Sequence, residues 1–259
     1  GRGELHFGTS TGTGVWLART AQANFKKKYT DLRLLRASGP ALRLTFVATV
    51  KSGIKSYADL KGKRVAGGYA GATTALFNIT AALKAHGMAW SDFKVVPVAG
   101  VLQGPQAIRD GRAVAAWASF GMPVVRELHT RTPIRYLSVD SGRLAALQRH
   151  NPSYVLVKTK ARPAMGWPKD GNLISEATYL FTNKHVPDAQ ITKVLKALWD
   201  HNAELQKIHF MLRSFTKNTA APDNPLVPFH RAALAFYKAK GVLSAAAEKK
   251  HMKLLAEEK

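Results

Sequence analysis

Apolar and polar residues follow one another along this chain in short blocks whose period keeps changing. Glu4 to Gly8 (E-L-H-F-G) alternates strictly, the period of a short strand. Gly8 to Gly14 is a run of glycine, threonine and serine that reads as a turn. Val15, Leu17, Ala18, Ala21, Ala23 and Phe25 then lead to Lys26, Lys27 and Lys28. That spacing predicts an amphipathic helix with cations near its C-terminus. Leu42 to Val50 is an apolar strand, and Arg64 to Gly67 is another, after the turn at Asp59 to Lys63. A second small-residue turn, Gly67 to Gly71, precedes a predicted helix from Ala72 to Ala85 that stops at His86-Gly87.

The alternation continues with a strand at Phe93–Val98, a helix at Gln103–Asp110, a strand at Ala113–Ser119 and a helical turn at Pro123–His129. Ile134–Val139 reads as a strand, Leu144–His150 as a helix, Leu173–Phe181 as a strand and Asp188–Ile208 as one long amphipathic helix. Pro152–Asn172, with its prolines and glycines, reads as a connection. Strand–helix alternation of this kind predicts an α/β fold with largely parallel sheets.

The length of 259 residues suits one large domain or two lobes of roughly 100–150 residues each. An apolar share of 46% excludes a disordered basic tail. No apolar run reaches the ~18 residues of a membrane span. Cysteine is absent, so disulfides, thiolate zinc sites and cysteine nucleophiles are excluded. Lysine and arginine number 39 against 16 acids, a net charge of +23. The excess is spread along the chain, with no arginine-rich arm and no nucleic-acid recognition motif. It fits a solvated basic surface, a polyanion partner, or steering of a small anion to a cleft.

Gly8-Thr9-Ser10-Thr11-Gly12 matches the G-x-S-x-G nucleophile elbow. Only seven residues precede it, too few to build the sheet on which an elbow sits, so no catalytic residue is assigned. The same turn lacks the third glycine of a dinucleotide fingerprint, and no phosphate-loop pattern occurs. The nine histidines show no metal-ligand spacing, so neither a metal nor a cofactor is expected. What recurs is a strand, then a turn rich in glycine and hydroxyls, then a helix. It occurs at Gly8–Gly14, at Gly67–Thr74 and, with a proline start, at Ala118–Pro123. Free N–H groups at helix starts favour anions. Three such turns and few catalytic acids and bases point to a ligand-binding protein.

Several segments resemble the TAXI group of periplasmic solute-binding proteins, which serve TRAP-type transporters. Ser52-Gly53-Ile54-Lys55-Ser56 with Asp59-Leu60-Lys61-Gly62-Lys63-Arg64-Val65 is similar to the S-G-I-K-S…D-L-K-G-K-R-V signature of solute-binding proteins. Gly8 to Gly12 with Trp16 resembles the group's N-terminal loop. Gly67 to Thr74 resembles its G-x-x-G-S-G-T turn, with Ala72 where serine is usual. Ala107 to Gly111, Ala115 to Trp117 and Gly121 to Pro123 resemble its central segment. Leu226 to His230 and Tyr237 to Gly241 resemble its ending. The chain departs from the pattern between Tyr29 and Leu42, where it is shorter by several tens of residues. That shortfall is either a true loss or residues absent from the sequence as given. Arg231 replaces a small residue, and the positive charge exceeds that of the group.

The resemblance implies a two-lobed periplasmic binding protein, or Venus-flytrap, fold with a hinge. Lobe 1 would comprise 1–50 plus 173–259, and lobe 2 would comprise 51–172. It implies no enzyme but capture of a small organic anion, such as glutamate or 2-oxoglutarate, for delivery to TRAP membrane subunits. The protein would be a periplasmic monomer whose export signal is removed ahead of Gly1, with no nucleic-acid partner. Expected ligand-binding residues are Ser10, Thr11, Thr13 and Trp16 in lobe 1. In lobe 2 they are Tyr69, Gly71, Ala72, Thr73, Thr74, Ser119, Phe120 and Gly121. A polyanion-binding protein and a serine hydrolase using Ser10 are the competing readings.

Overall fold

A computed structural model describes residues 6–258 of the chain. The chain divides into two compact units, Gly1–Ala41 with Glu176–Lys259, and Leu42–Ser175. Each has its own apolar core. Both are mixed α/β.

In the first unit, strand β1 (Gly8–Thr11) leads directly into helix α1 (Gly12–Thr20), and β2 (Leu32–Ala37) follows. The expected strand at Glu4–Gly8 falls partly outside the described residues. Gly8–Thr11, read as turn from composition, is instead extended and pairs antiparallel with β10 (Thr178–Asn183). Helix α1 is shorter than its apolar spacing predicts. Its chain turns at Ala21, whose φ of 55° is left-handed, so Lys26–Lys28 lie beyond it. β10 also pairs antiparallel with β2, giving the sheet order β1-β10-β2. The outer edge of β2 is covered by the main chain at Pro228 and His230, which exchanges hydrogen bonds with Leu34. Covering an edge in this way removes unpaired backbone groups.

The predicted long helix is two helices, α6 (Asp188–Asp200) and α7 (Asn202–Ile208). The helix breaks at His201, and just past the break the side-chain amide of Asn202 donates to the Phe215 carbonyl at 2.7 Å. Helices α8 (Arg231–Ala239) and α9 (Ala245–Ala256) close the unit. Leu34, Leu35, Tyr179, Ile191, Val227, Phe229 and Tyr237 form its core.

The second unit contains strands β3 (Leu42–Thr49), β4 (Arg64–Gly68), β5 (Lys94–Val98), β6 (Ala115–Ser119), β7 (Ile134–Tyr136), β8 (Val155–Thr159) and β9 (Gly171–Glu176). Its helices are α2 (Thr73–Ala85), α3 (Gln103–Arg109), α4 (Pro123–Arg131) and α5 (Leu144–His150). The sheet order is β5-β4-β6-β3-β9-β8, with β7 paired to β3. Pairing is parallel for β4 with β5 and for β4 with β6. The pairs β3–β6, β3–β7 and β8–β9 are antiparallel. The expectation of largely parallel sheets therefore fails outside β4–α2–β5–α3–β6, where helices supply the crossovers that parallel pairing needs.

Strand β3, expected in lobe 1, pairs with β6 and β7 and so belongs to this unit. Leu173–Phe181, predicted as one strand, is two strands in two different sheets, with the unit boundary at Glu176. Pro152–Asn172 is not a plain connection, since it contains β8. Phe46, Tyr57, Leu60, Trp117, Tyr154 and Trp167 anchor the core.

Candidate functional site

The turns singled out in the sequence occupy two different kinds of helix start. At α1, in the first unit, all three leading N–H groups are already taken. Gly12 donates to the Ala177 carbonyl at 2.8 Å. Thr13 donates to Oε2 of Glu176 at 2.8 Å. Gly14 donates to Oγ1 of its cap Thr11 at 3.3 Å. Glu176 is fully buried, so the helix start holds a carboxylate belonging to the chain itself. This is the anion that the partial positive charge of a helix N-terminus favours.

Thr13 is also fully buried, and this differs from the expectation that it meets a solute. Ser10 and Thr11 are half-buried, and Trp16 packs on the core of its own unit. Ser10 Oγ lies over the α carbon of Gly14, where an added Cβ would stand only 2.3 Å away. Among the described residues, no histidine hydrogen-bonds that hydroxyl, so the nucleophile–base pair of a hydrolase is not assembled here.

The start of α2, in the second unit, is open. Its cap, Ala72, has no side chain able to accept a hydrogen bond, and no acid stands in the first turn. The first helical bond runs from Leu76 to the Ala72 carbonyl. The N–H groups of Thr73, Thr74 and Ala75 find no acceptor among the described residues, and neither hydroxyl of Thr73 and Thr74 is engaged. Gly71 is exposed, and Ala72, Thr73 and Thr74 are half-buried. The turn before them is built by Gly68 and Tyr69, with φ of 83° and 44°. A non-glycine residue in that region carries backbone strain.

Tyr69 holds that position because its ring is buried and its hydroxyl accepts the Trp117 N–H at 3.1 Å. Burial pushes its phenol up to about 12. The expectation that Tyr69 walls a ligand cavity is therefore corrected. It is a core residue that joins the end of β4 to β6.

Parallel pairing brings the second and third turns together. Val65 faces Ala115 and Gly68 faces Val98, so β4, β5 and β6 end along one edge of the sheet. Ligands of open α/β sheets bind at that carboxyl edge. Ser119, Phe120 and Gly121 follow β6 there. Gly121 turns with a φ of 83°, and Phe120 packs edge-on against Tyr136 at 5.2 Å. The start of α4 offers little, because Pro123 has no N–H and the Val125 and Arg126 N–H groups both return to Met122.

Sequence reasoning missed Arg43. The antiparallel strand β3 begins at this same edge, and the Arg43 carbonyl accepts the Phe120 N–H at 2.8 Å. Arg43 is half-buried and forms no ion pair among the described residues. No motif marks it, since only the pairing of β3 with β6 brings it there. Among the described residues, no three His, Asp or Glu side chains are placed to hold a metal.

A model of the NMT1-like family matches residues 1–241 of the chain. Among solved structures, a periplasmic transporter aligns at 11% identity and a TM-score of 0.50, over 96% of this chain and 75% of that one. The periplasmic aliphatic sulphonate binding protein SsuA from Escherichia coli aligns at 14% identity and 0.49, over 96% and 62%. The alkanesulfonate-binding protein SsuA from Xanthomonas axonopodis pv. citri, bound to MOPS, aligns at 15% identity and 0.45, over 94% and 78%. At 11% identity, the likeness to the first of these is one of fold alone.

Proposed function

The chain belongs to the NMT1-like family, and we propose that it is an extracytoplasmic solute-binding protein for a small organic anion, not an enzyme. The observation that carries this reading is the open start of α2. Three N–H groups and the hydroxyls of Thr73 and Thr74 lie there without an acceptor among the described residues, at the carboxyl edge of a sheet. A carboxylate or another oxyanion satisfies such groups, and the helix dipole adds to the attraction. Gly71, Ala72, Ser119, Phe120 and Gly121 belong to the same proposed site, and Arg43, whose carbonyl accepts the Phe120 N–H, is proposed as its cation. Within the first unit, Ser10, Thr11 and Trp16 are proposed in their own right as solute-contacting residues. The net charge of +23 favours an anion over a cation by raising its local concentration.

The proposed ligands are carboxylates of the glutamate and 2-oxoglutarate kind, and the proposed setting is periplasmic, with delivery to the membrane subunits of a TRAP-type transporter. The test is a thermal-shift and calorimetric screen of amino acids, dicarboxylates and alkanesulfonates. An anion present at 100 times its Kd stabilises the fold by about 2.7 kcal/mol. A panel in which no anion at millimolar concentration raises the melting temperature overturns the reading.

A further inference from the structure

We propose that the second unit carries another anion site, distinct from the start of α2, for a small multivalent oxyanion. A cavity of about 370 Å³ is lined by Lys55, Arg135 and Lys169, with Ser138 at its side and Tyr136 and Trp167 behind. No acid lines it. None of the three cations makes an ion pair or a side-chain hydrogen bond among the described residues. The nearby acids are committed elsewhere. Asp59 accepts the N–H groups of Lys55 and Ser56 and the Ser56 hydroxyl, each at 2.9 Å. Asp170 is held at 2.9 Å by both Lys160 Nζ and the Ala161 N–H.

Cations are common on a chain this basic, but those of the first unit are compensated. There a cavity of about 380 Å³ is also lined by cations, Arg33, Lys184 and Arg231. Each has an acidic partner at 2.7–2.8 Å, namely Glu258, Asp31 and Asp188 respectively. The cavity of the second unit has no such compensation. Arg135 is the informative member. It sits in the middle of β7, opposite Ala48 of β3, half-buried and with its charge unmatched. Withdrawing an unpaired guanidinium from water is costly, and an oxyanion received by its planar fork offsets that cost. Three cations lining one cavity favour a multivalent anion over chloride or a monocarboxylate. Arg135 lies towards the end of β3 at Thr49 and the start of α2 lies where β3 begins and β6 ends; the rings of Tyr136 and Trp167, packed on Phe120 at 5.2 and 6.0 Å, stand between the cations and the Ser119–Gly121 turn.

The test is calorimetric titration with inorganic pyrophosphate, and with citrate in parallel, at constant ionic strength. It is made on the full chain carrying Ala72→Asp, so that the start of α2 is closed by a carboxylate. The outcome is then independent of whether the solute reading holds. The expected result is one saturable pyrophosphate site with a Kd below about 1 mM, weakened at least tenfold by adding Lys55→Gln and Lys169→Gln. Both lysines are exposed, so this variant keeps the fold. Arg135→Gln is expected to weaken binding at least as much. Absence of saturable binding, or less than a tenfold loss in the double lysine variant, overturns the proposal. Citrate binding at comparable affinity marks the site as reading charge alone, and a tenfold preference for pyrophosphate marks it as reading phosphate; either supports it.

Discussion

The buried carboxylate of Glu176 accepts the main-chain N–H of Thr13 at 2.8 Å, across 163 positions of sequence. An acid from the end of β9 thereby caps a helix that begins twelve residues into the chain. Truncating it leaves the N–H and a cavity without compensation. Glu176→Ala is expected to cost about 2–4 kcal/mol of stability, and Glu176→Gln about half of that, since the amide oxygen still accepts. Urea denaturation of the two variants measures this. An alanine variant within 0.5 kcal/mol of the parent, on the order of an ordinary surface change, contradicts the capping role.

Ala72→Asp places a carboxylate at the cap of α2, which now has none. A gain of about 0.5–1 kcal/mol in stability is expected from capping and the helix dipole. The same carboxylate competes with the solute, so affinity for the bound anion is expected to fall at least tenfold. Calorimetry on the parent and the variant gives both numbers. Unchanged affinity in a stabilised variant removes α2 from the site.

Tyr69→Phe tests the corrected assignment of that residue. It deletes the acceptor of the Trp117 N–H in a buried position, at an expected cost of about 1–3 kcal/mol. The ring itself has no exposed surface. Solute affinity of the folded variant is therefore expected to stay within about twofold of the parent. A large loss of affinity with stability intact returns Tyr69 to the cavity wall.

His230 and His251 set a pH dependence for the first unit. Burial holds both below the ordinary histidine value of 6.5, and for His251 the neighbouring Arg33 adds to it. Nδ1 of His251 accepts the Phe229 N–H, and Nδ1 of His230 accepts the Ala232 N–H, so each ring is needed neutral at that atom. As pH falls through ~6.5 the unfolded chain takes up protons that the folded chain refuses. Stability is full above that pH and declines below it, by up to about 1.4 kcal/mol per pH unit for each histidine. Urea midpoints at pH 7.5, 6.5 and 5.5 should fall in that order. His251→Gln is expected to flatten the slope, and a midpoint that rises on acidification contradicts the assignment.

Element identity was legible wherever local period and punctuation agree. The strand ending at Gly68, the helix Thr73–Ala85 and the helix Leu144–His150 all match their predicted places to within a residue. The misses share one cause. Gly8–Thr11 has turn composition but is drawn into a strand by Thr178–Phe181. Leu173–Phe181 has unbroken strand composition but is parted at Ala177 because its two halves pair in different sheets. Pairing between distant segments outweighed local preference in each.

By itself the sequence determined the α/β class, the glycine- and hydroxyl-rich turns and the absence of any thiol. These depend on residue type and short-range spacing, which a chain carries whether folded or not. Only the tertiary structure decided which turn is open. The turns at Gly8–Gly14 and Gly67–Thr74 look alike in composition, yet Glu176 closes the first and no described residue closes the second. It likewise withdrew Tyr69 and Thr13 into the interior and brought Arg43 beside Phe120. An acceptor more than a hundred residues away, or an N–H spent on a neighbouring strand, leaves no trace in local spacing. Whether a helix start still has a donor to offer depends on what the rest of the fold has already placed against it.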